Sequence, residues 1–209
     1  RNGFFVECGA LDGEHLSNTL AFERKYGWNG LLVEATPQVY KNLLKKERKA
    51  WSIDACLSLK QYPITVMFDT GHYGNDRIKS GNSMKKGYAE VQCLPLYSIL
   101  AALNTSTVDY FSLDIEGDEL EVLKSIPWDK VNIKTISIEF NHFPNGKEVF
   151  TQYLESQGYD LYCVHRIDLI FHRRDVIPKI PAPRQDKNLD YSEKGGYLTN
   201  GGYKQECFK

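Results

Sequence analysis

The sequence predicts an α/β fold built on a mostly parallel sheet, and three features point to it. Apolar strands alternate with amphipathic segments from Phe4 to Glu139, and parallel strands need crossovers of this kind. Successive apolar runs end in, or contain, a carboxylate: Glu7, Glu34, Asp54, Asp114 and Glu139. Acidic residues are rare in core strands except at their tips, so a row of them along one edge marks a ligand cleft. The first tip also runs into a small-residue turn, Cys8-Gly9-Ala10-Leu11-Asp12-Gly13, before a helical pattern. There glycine lets the backbone approach a ligand, and amides are aimed toward the following helix N-terminus.

Phe4 to Cys8 reads as the first strand. Its turn should lie on the binding face, because ligands of open α/β sheets sit beyond the carboxyl ends of the strands. The glycine spacing is not G-x-G-x-x-G, which argues against a dinucleotide site. Ser17 to Tyr26 carries helical spacing through Leu20, Phe22 and Tyr26, and Gly27 and Asn29 mark its end. Gly30 to Ala35 is a buried parallel strand closing on Glu34, where a carboxylate can accept both ribose hydroxyls of a nucleoside-bearing cofactor. Trp51 to Ser58 is a third strand, with Asp54 placed to reach an adenine amino group. Val108 to Leu113 leads into Asp114-Ile115-Glu116-Gly117 and a helix from Leu120 to Ile126. The next acidic strand is Ile136 to His142. Tyr159 to Val164 and Leu169 to Arg173 form a strand pair around Arg166-Ile167-Asp168.

Between the third strand and Val108 lies a Gly-, Lys- and Ser-rich excursion from Asp69 to Tyr88. Its His72, Tyr73, Asn75, Arg77 and Ser83 are placed to cap a substrate, although an insertion without a role reads equally well. After Asp175, Pro178, Pro181 and Pro183 lead into polar, Gly-rich sequence. This divides the chain into a domain over residues 1–175 and a tail over 176–209 that packs on the domain or on a partner.

With 209 residues, 42% of them hydrophobic and 25% charged, the chain can bury one substantial core. A net charge of −1 gives no field favouring nucleic acid or anionic lipid. The basic run Lys41 to Lys49 reads as a solvated helix face. No apolar run is long enough to span a bilayer. The chain opens on a strand without Met, so any signal peptide or anchor would precede residue 1. Of five cysteines, Cys56 and Cys93 lie in strands that can be neighbours, Cys163 and Cys207 lie near the end, and Cys8 sits in the first turn. In a reducing compartment all five are ordinary small residues. Asn104-Thr105-Ser106 is a glycosylation sequon in a polar link.

The turn Val6 to Gly13, the segment Leu32-Val33-Glu34-Ala35-Thr36-Pro37 and the strand end Ala55-Cys56-Leu57-Ser58 together carry a family resemblance. With the block Asp114-Ile115-Glu116-Gly117-Asp118-Glu119-Leu120-Glu121-Val122-Leu123-Lys124, they resemble the FkbM-type methyltransferase domain, in order from Phe4 to about Arg174. The resemblance implies the class I methyltransferase fold, Rossmann-like, with a mostly parallel seven-stranded sheet and a terminal antiparallel strand. It implies S-adenosylmethionine as cofactor and O-methyl transfer as activity. On this reading the cofactor site is Glu7, Gly9, Ala10, Asp12, Gly13, Asn18, Glu34, Asp54, Ala55 and Asp114. Glu34 takes the ribose hydroxyls and Asp54 the adenine edge. Gly9, Asp12, Gly13 and Asn18 take the methionine end. Ser17-Asn18-Thr19 and Cys93 to Ser98 are similar to the family's animal branch, which includes the insect membrane protein Star, whose known role is trafficking. That tilts the compartment toward the secretory lumen (endoplasmic reticulum or Golgi) or secretion, with the cytoplasm as the alternative.

A hydroxyl acceptor needs a general base or a metal ion to become nucleophilic. Asp114 and Glu116 follow one strand, and Glu139, Asn141 and His142 follow the next, so the five gather on one side of the cofactor. Asp114, Glu139 and Asn141 offer an oxygen set suited to Mg²⁺ or Mn²⁺. Alternatively His142 acts as a metal-free base, with Glu116 and Glu139 as its catalytic neighbours. Two classes of function follow. One is an O-methyltransferase for a small-molecule or glycan hydroxyl, and the other is a catalytically silent binding or trafficking module of the same fold. The glycine spacing, with no Tyr-x-x-x-Lys, places a nicotinamide oxidoreductase well behind both.

Overall fold

The computed structural model describes residues 2–69, 78–79 and 88–176. In chain order it forms β1 (Phe4–Cys8), α1 (Leu20–Tyr26), β2 (Asn29–Glu34), α2 (Pro37–Leu44), β3 (Trp51–Asp54) and β4 (Cys56–Leu57). Then come β5 (Ile64–Asp69), β6 (Ile78–Lys79), β7 (Tyr88–Leu94), α3 (Leu96–Ala102), β8 (Thr107–Leu113) and α4 (Glu119–Ser125). The last elements are β9 (Asn132–Glu139), α5 (Gly146–Ser156), β10 (Tyr159–His165) and β11 (Asp168–Arg173).

Seven strands make the main sheet, in the order β10-β11-β9-β8-β1-β2-β3. From β9 through β8, β1 and β2 to β3 all neighbours are parallel. The antiparallel strand is β11, the last in the chain, and it inserts between β9 and β10 rather than lying at the edge. The turn at Arg166, with φ 53°, folds β11 back along β10. A bond from Phe140 N–H to Ile167 O at 3.0 Å then pins the hairpin to the end of β9.

Alternation along the strands sorts the core into two layers. Val6, Leu31 and Val33 face one side with Leu100, Leu123, Phe150 and Leu154 of α3, α4 and α5. Phe5 and Leu32 face the other side, with Phe22 of α1 and Tyr40 and Leu43 of α2. α1 starts at Leu20, later than the periodicity predicts, because the side chains of Ser17 and Thr19 are bonded to Glu7 instead. It ends where expected, on Gly27 at φ 68°.

Trp51 to Ser58 is not one strand. It divides at Ala55: β3 stays beside β2, and β4 turns into a second sheet, β4-β7-β5-β6. β5 and β7 pair antiparallel from Ile64↔Cys93 to Asp69↔Tyr88, so the Gly-rich excursion leaves from the end of a ladder. Its proposed capping residues His72, Tyr73, Asn75, Arg77 and Ser83 lie outside the described residues, as do Cys207 and the tail from 177 onward. Cys56 and Cys93 are register partners joined by a disulfide. Cys163 is also disulfide-bonded, and Cys8 is free and buried. Among the described residues no helix is long and apolar enough to cross a membrane.

The chain enters the sheet at its centre. β1, β2 and β3 run to one edge, and the chain then returns to β8 on the other side of β1. The strand order therefore reverses between β1 and β8, where open α/β sheets hold their ligands. Gly9 and Asp114 stand at that point, with Asp114 N–H donating to Cys8 O at 3.2 Å.

Candidate active site

Glu7 reaches the switch point buried, and its carboxylate is occupied by its own loop. It accepts Asn18 N–H at 2.7 Å, Ser17 Oγ–H at 2.8 Å and Thr19 Oγ1–H at 2.5 Å. Burial pushes its pKa up, against the pull of those hydrogen bonds. The same loop is held from behind by Arg48. Its side chain is only 2% exposed, and its Nε lies 3.1 Å from a Glu23 carboxylate that is 8% exposed. Arg48 also donates to Gly13 O and reaches Ser17 Oγ and Thr19 Oγ1 at 3.4 Å each. The sequence pattern places Arg48 on a solvated basic face, whereas the structure buries its side chain. Its one distinguishing signal is an arginine among lysines, since the guanidinium fork suits buried, multiply bonded sites.

Two adjoining cavities, of about 90 and 320 Å³, share Cys8, Gly9, Leu11, Asp114 and Glu116 and form one trough over the switch point. Leu11, Leu16 and Glu116 line it with positive φ values of 49, 57 and 65°, the kind of backbone strain that collects at functional sites. Gly9, with φ 78°, has no room for a Cβ, which would run into the Asp114 carbonyl. The smaller cavity is walled by Glu34, Ala55, Leu57 and Phe68. Glu34 is buried, with Leu11 N–H on Oε2 at 2.9 Å and Thr36 N–H on Oε1 at 2.7 Å. Asp54 sits beside it in register but is exposed and outside the lining.

The predicted cofactor residues therefore divide. Gly9, Glu34, Ala55, Asp114 and Asn18 line the trough. Asn18 does so while its Nδ2 donates to Ser112 Oγ at 3.0 Å. Ala10 points the other way, into the cluster of Phe5 and Leu32. Asp12 accepts Glu14 and His15 N–H at 3.0 and 2.7 Å and pairs with Lys46 at 3.2 Å. Gly13 backs onto Leu43 and Arg48. These three shape the turn from its far side.

The larger cavity is acidic. Glu7, Asp114, Glu116 and Glu139 line it, with no lysine or arginine among the described lining residues. Burial first, then the carboxyls of Asp114, Glu116 and Glu119, push the Glu139 pKa up to about 9. Asp168, opposite Glu139 in β11, is raised to about 6 by burial and then by Asp114. His142 Nε2 lies 2.7 Å from Glu116 Oε2 and 3.6 Å from Glu139 Oε2. Glu119, which the sequence reading did not single out, is fully buried and accepts the N–H groups of Ile115 and Gly117, holding the loop that presents Glu116. Asn141 is exposed and lies outside the cavity. The donor atoms that do come together are those of Glu116, Glu139 and His142, or of Asp114, Glu119 and Glu139. Of the predicted set Asp114, Glu139 and Asn141, the first two line the cavity and Asn141 does not, because the chain turns outward directly after β9.

Among solved structures, the chain is similar to the methyltransferase FkbM of Methylobacillus flagellatus KT. The TM-score is 0.55 at 17% identity, over 82% of this chain and 43% of that one. The chain thus spans less than half of that protein's length. It also aligns with a fibrillarin/Nop5p complex, at TM-score 0.45 and 12% identity over 82% of this chain and 71% of that one. A pericyclic reaction enzyme aligns at TM-score 0.41 and 10% identity, over 83% and 44% of the two chains. No curated protein sequence matches. The family model of the methyltransferase FkbM domain matches residues 7–161, which takes in every strand tip of the trough. The chain belongs to the FkbM methyltransferase family.

Proposed function

We propose that this methyltransferase domain transfers the methyl group of S-adenosylmethionine to a hydroxyl oxygen, on a small molecule or on a sugar of a glycan. The observation that carries the reading is Glu34: a buried carboxylate at the tip of β2, fixed by one backbone N–H on each oxygen and facing the trough. A carboxylate fixed at a strand tip beside the trough is the kind of acceptor that a pair of ribose hydroxyls requires. Gly9 lets the turn after β1 close against the Asp114 carbonyl, which joins the two strand tips that line the trough. Ala55, Leu57 and Phe68 offer an apolar slot for a purine, and Asn18 and Asp114 lie toward the methionine end.

When bound, S-adenosylmethionine would supply an electrophilic methyl on a sulfonium, to be taken by an in-line oxygen as the neutral thioether leaves. The protein's part is to hold the acceptor oxygen close and dry and to take its proton. Asp114, Glu116, Glu139 and His142 are the groups beside the larger cavity that can receive it. Residence in the secretory lumen or outside the cell is supported by the Cys56–Cys93 disulfide and by the exposed position of the Asn104 sequon.

The test is calorimetry with S-adenosylmethionine and its demethylated product. Charge-assisted hydrogen bonds contribute on the order of 1.5–3 kcal/mol each, so Glu34→Ala should weaken binding by roughly ten- to a hundredfold. Unchanged affinity would place the ribose elsewhere. A chain that binds cofactor normally yet methylates no neutral glycan or small hydroxyl acceptor would instead be the silent binding module.

A further inference from the structure

The acceptor side of the trough brings three donor atoms to one point. Glu116 Oε2, Glu139 Oε2 and His142 Nε2 all lie within 4.8 Å of one another, and the nitrogen is 2.7 and 3.6 Å from the two oxygens. The residues come from different places: Glu116 from the loop after β8, Glu139 from the end of β9, His142 from the turn beyond it. The Glu139 side chain is 6% exposed and shares a hydrogen bond with the Asp114 carboxyl, and its Oε2 is buried without a geometric hydrogen-bond partner among the described residues. Ionising a buried carboxyl in that state is costly, and a cation facing it would offset the cost. The described lining contains neither lysine nor arginine, and His142 Nε2 stands 3.6 Å from Glu139 Oε2. The spacing also fits. Donors held octahedrally at about 2.1 Å from an ion lie about 3.0 Å apart, and the two observed separations bracket that value.

We propose that Glu116, Glu139 and His142 bind a divalent cation on the cavity wall, with Mn²⁺ favoured over Mg²⁺. Two carboxylates alone suit either ion, and the imidazole shifts the preference toward the less oxygen-selective one. Three donors leave coordination positions open toward the cavity, where one or two acceptor oxygens could enter as ligands. Coordination would acidify an acceptor hydroxyl, and its proton would leave to Asp114, which lines both halves of the trough. That role rests on the methyl-transfer reading, whereas occupancy of the site by the ion does not.

The experiment is a Mn²⁺ titration of the full chain, without cofactor or acceptor, followed by calorimetry and by the electron paramagnetic resonance signal of the free ion. Wild type should bind one ion saturably. His142→Gln and Glu139→Gln should each weaken binding at least about tenfold, with circular dichroism confirming that both variants fold. Asn141→Ala should bind as wild type does. Absence of saturable binding below millimolar Mn²⁺, or wild-type affinity in both folded variants, would overturn the proposal. Because no cofactor is present, a negative result here leaves the Glu34 test untouched, and a failed Glu34 test leaves this one standing.

Discussion

In the half of the trough under β2 and β4, the buried carboxylate of Glu34 carries a backbone N–H on each oxygen and stands among Ala55, Leu57 and Phe68. In the other half, Asp114, Glu116 and Glu139 face each other across the cavity, and Glu139 is driven to a pKa of about 9. The supports differ as well. The first half rests on a covalent link, Cys56 to Cys93, between two strands of the small sheet. The second half borders a loop, residues 13 to 19, held by Glu7 inside and Arg48 outside. A site for a large, invariant ligand can be finished in advance. A site that must accept a proton keeps charge in reserve and is less stable for it.

The largest expected effect tests the outer support. The Arg48 and Glu23 side chains are both buried, and removing the arginine leaves the Glu23 carboxylate only the N–H groups of Lys49 and Ala50, at a cost of up to about 3–5 kcal/mol. Arg48→Met should lower stability by that amount in denaturant unfolding. Arg48→Lys should recover only part of it, since an ammonium cannot reach Glu23, Gly13 and the two hydroxyls together. If Arg48→Met unfolds like wild type, the loop does not depend on the buried pair.

What the sequence made legible follows from this contrast. Strand tips were readable because a carboxylate ending an apolar run has few structural explanations, and Glu34 and Asp114 stand where that logic puts them. The direction in which a turn residue faces was not readable. Gly9 faces the trough while Ala10, Asp12 and Gly13 face away from it, and spacing alone does not distinguish them. The same ambiguity holds beyond β9, where Asn141 is exposed outside the cavity and His142 turns back toward Glu116 and Glu139. The second sheet escaped because β4 has two residues and its partner β7 lies far along the chain, so pairing rather than local pattern creates it. Arg48 escaped because its partners are distant in sequence and its neighbours are ordinary surface lysines.

An intermediate effect tests the charge held in the acidic half. Unfolded, Glu139 titrates near its ordinary 4.5, whereas folded it holds its proton up to about 9. Between those values the unfolded chain has released a proton that the folded chain retains, so stability falls as pH rises through that window and is intact below it. Glutamine cannot ionise and escapes the loss. With chelator present, Glu139→Gln should melt above wild type near about pH 8, by the equivalent of a few kcal/mol at most, and the two should converge toward pH 4.5. Parallel melting curves at every pH would mean that the carboxyl is not forced to stay protonated.

The smallest effect separates two carboxylates at neighbouring tips. Asp54 pairs in register with Glu34, and the sequence gives them similar standing, one for the adenine edge and one for the ribose. In the structure Glu34 is buried in the trough wall, whereas Asp54 is exposed and outside it. A hydrogen bond made in open solvent replaces one already made to water, so its net contribution is small. Asp54→Ala should therefore weaken cofactor binding by less than about threefold, against the ten- to hundredfold expected of Glu34→Ala. Calorimetry on the two variants side by side decides it. Equal losses would require Asp54 to turn inward over the adenine on binding, and the cofactor half of the trough would then be completed by its ligand rather than finished beforehand.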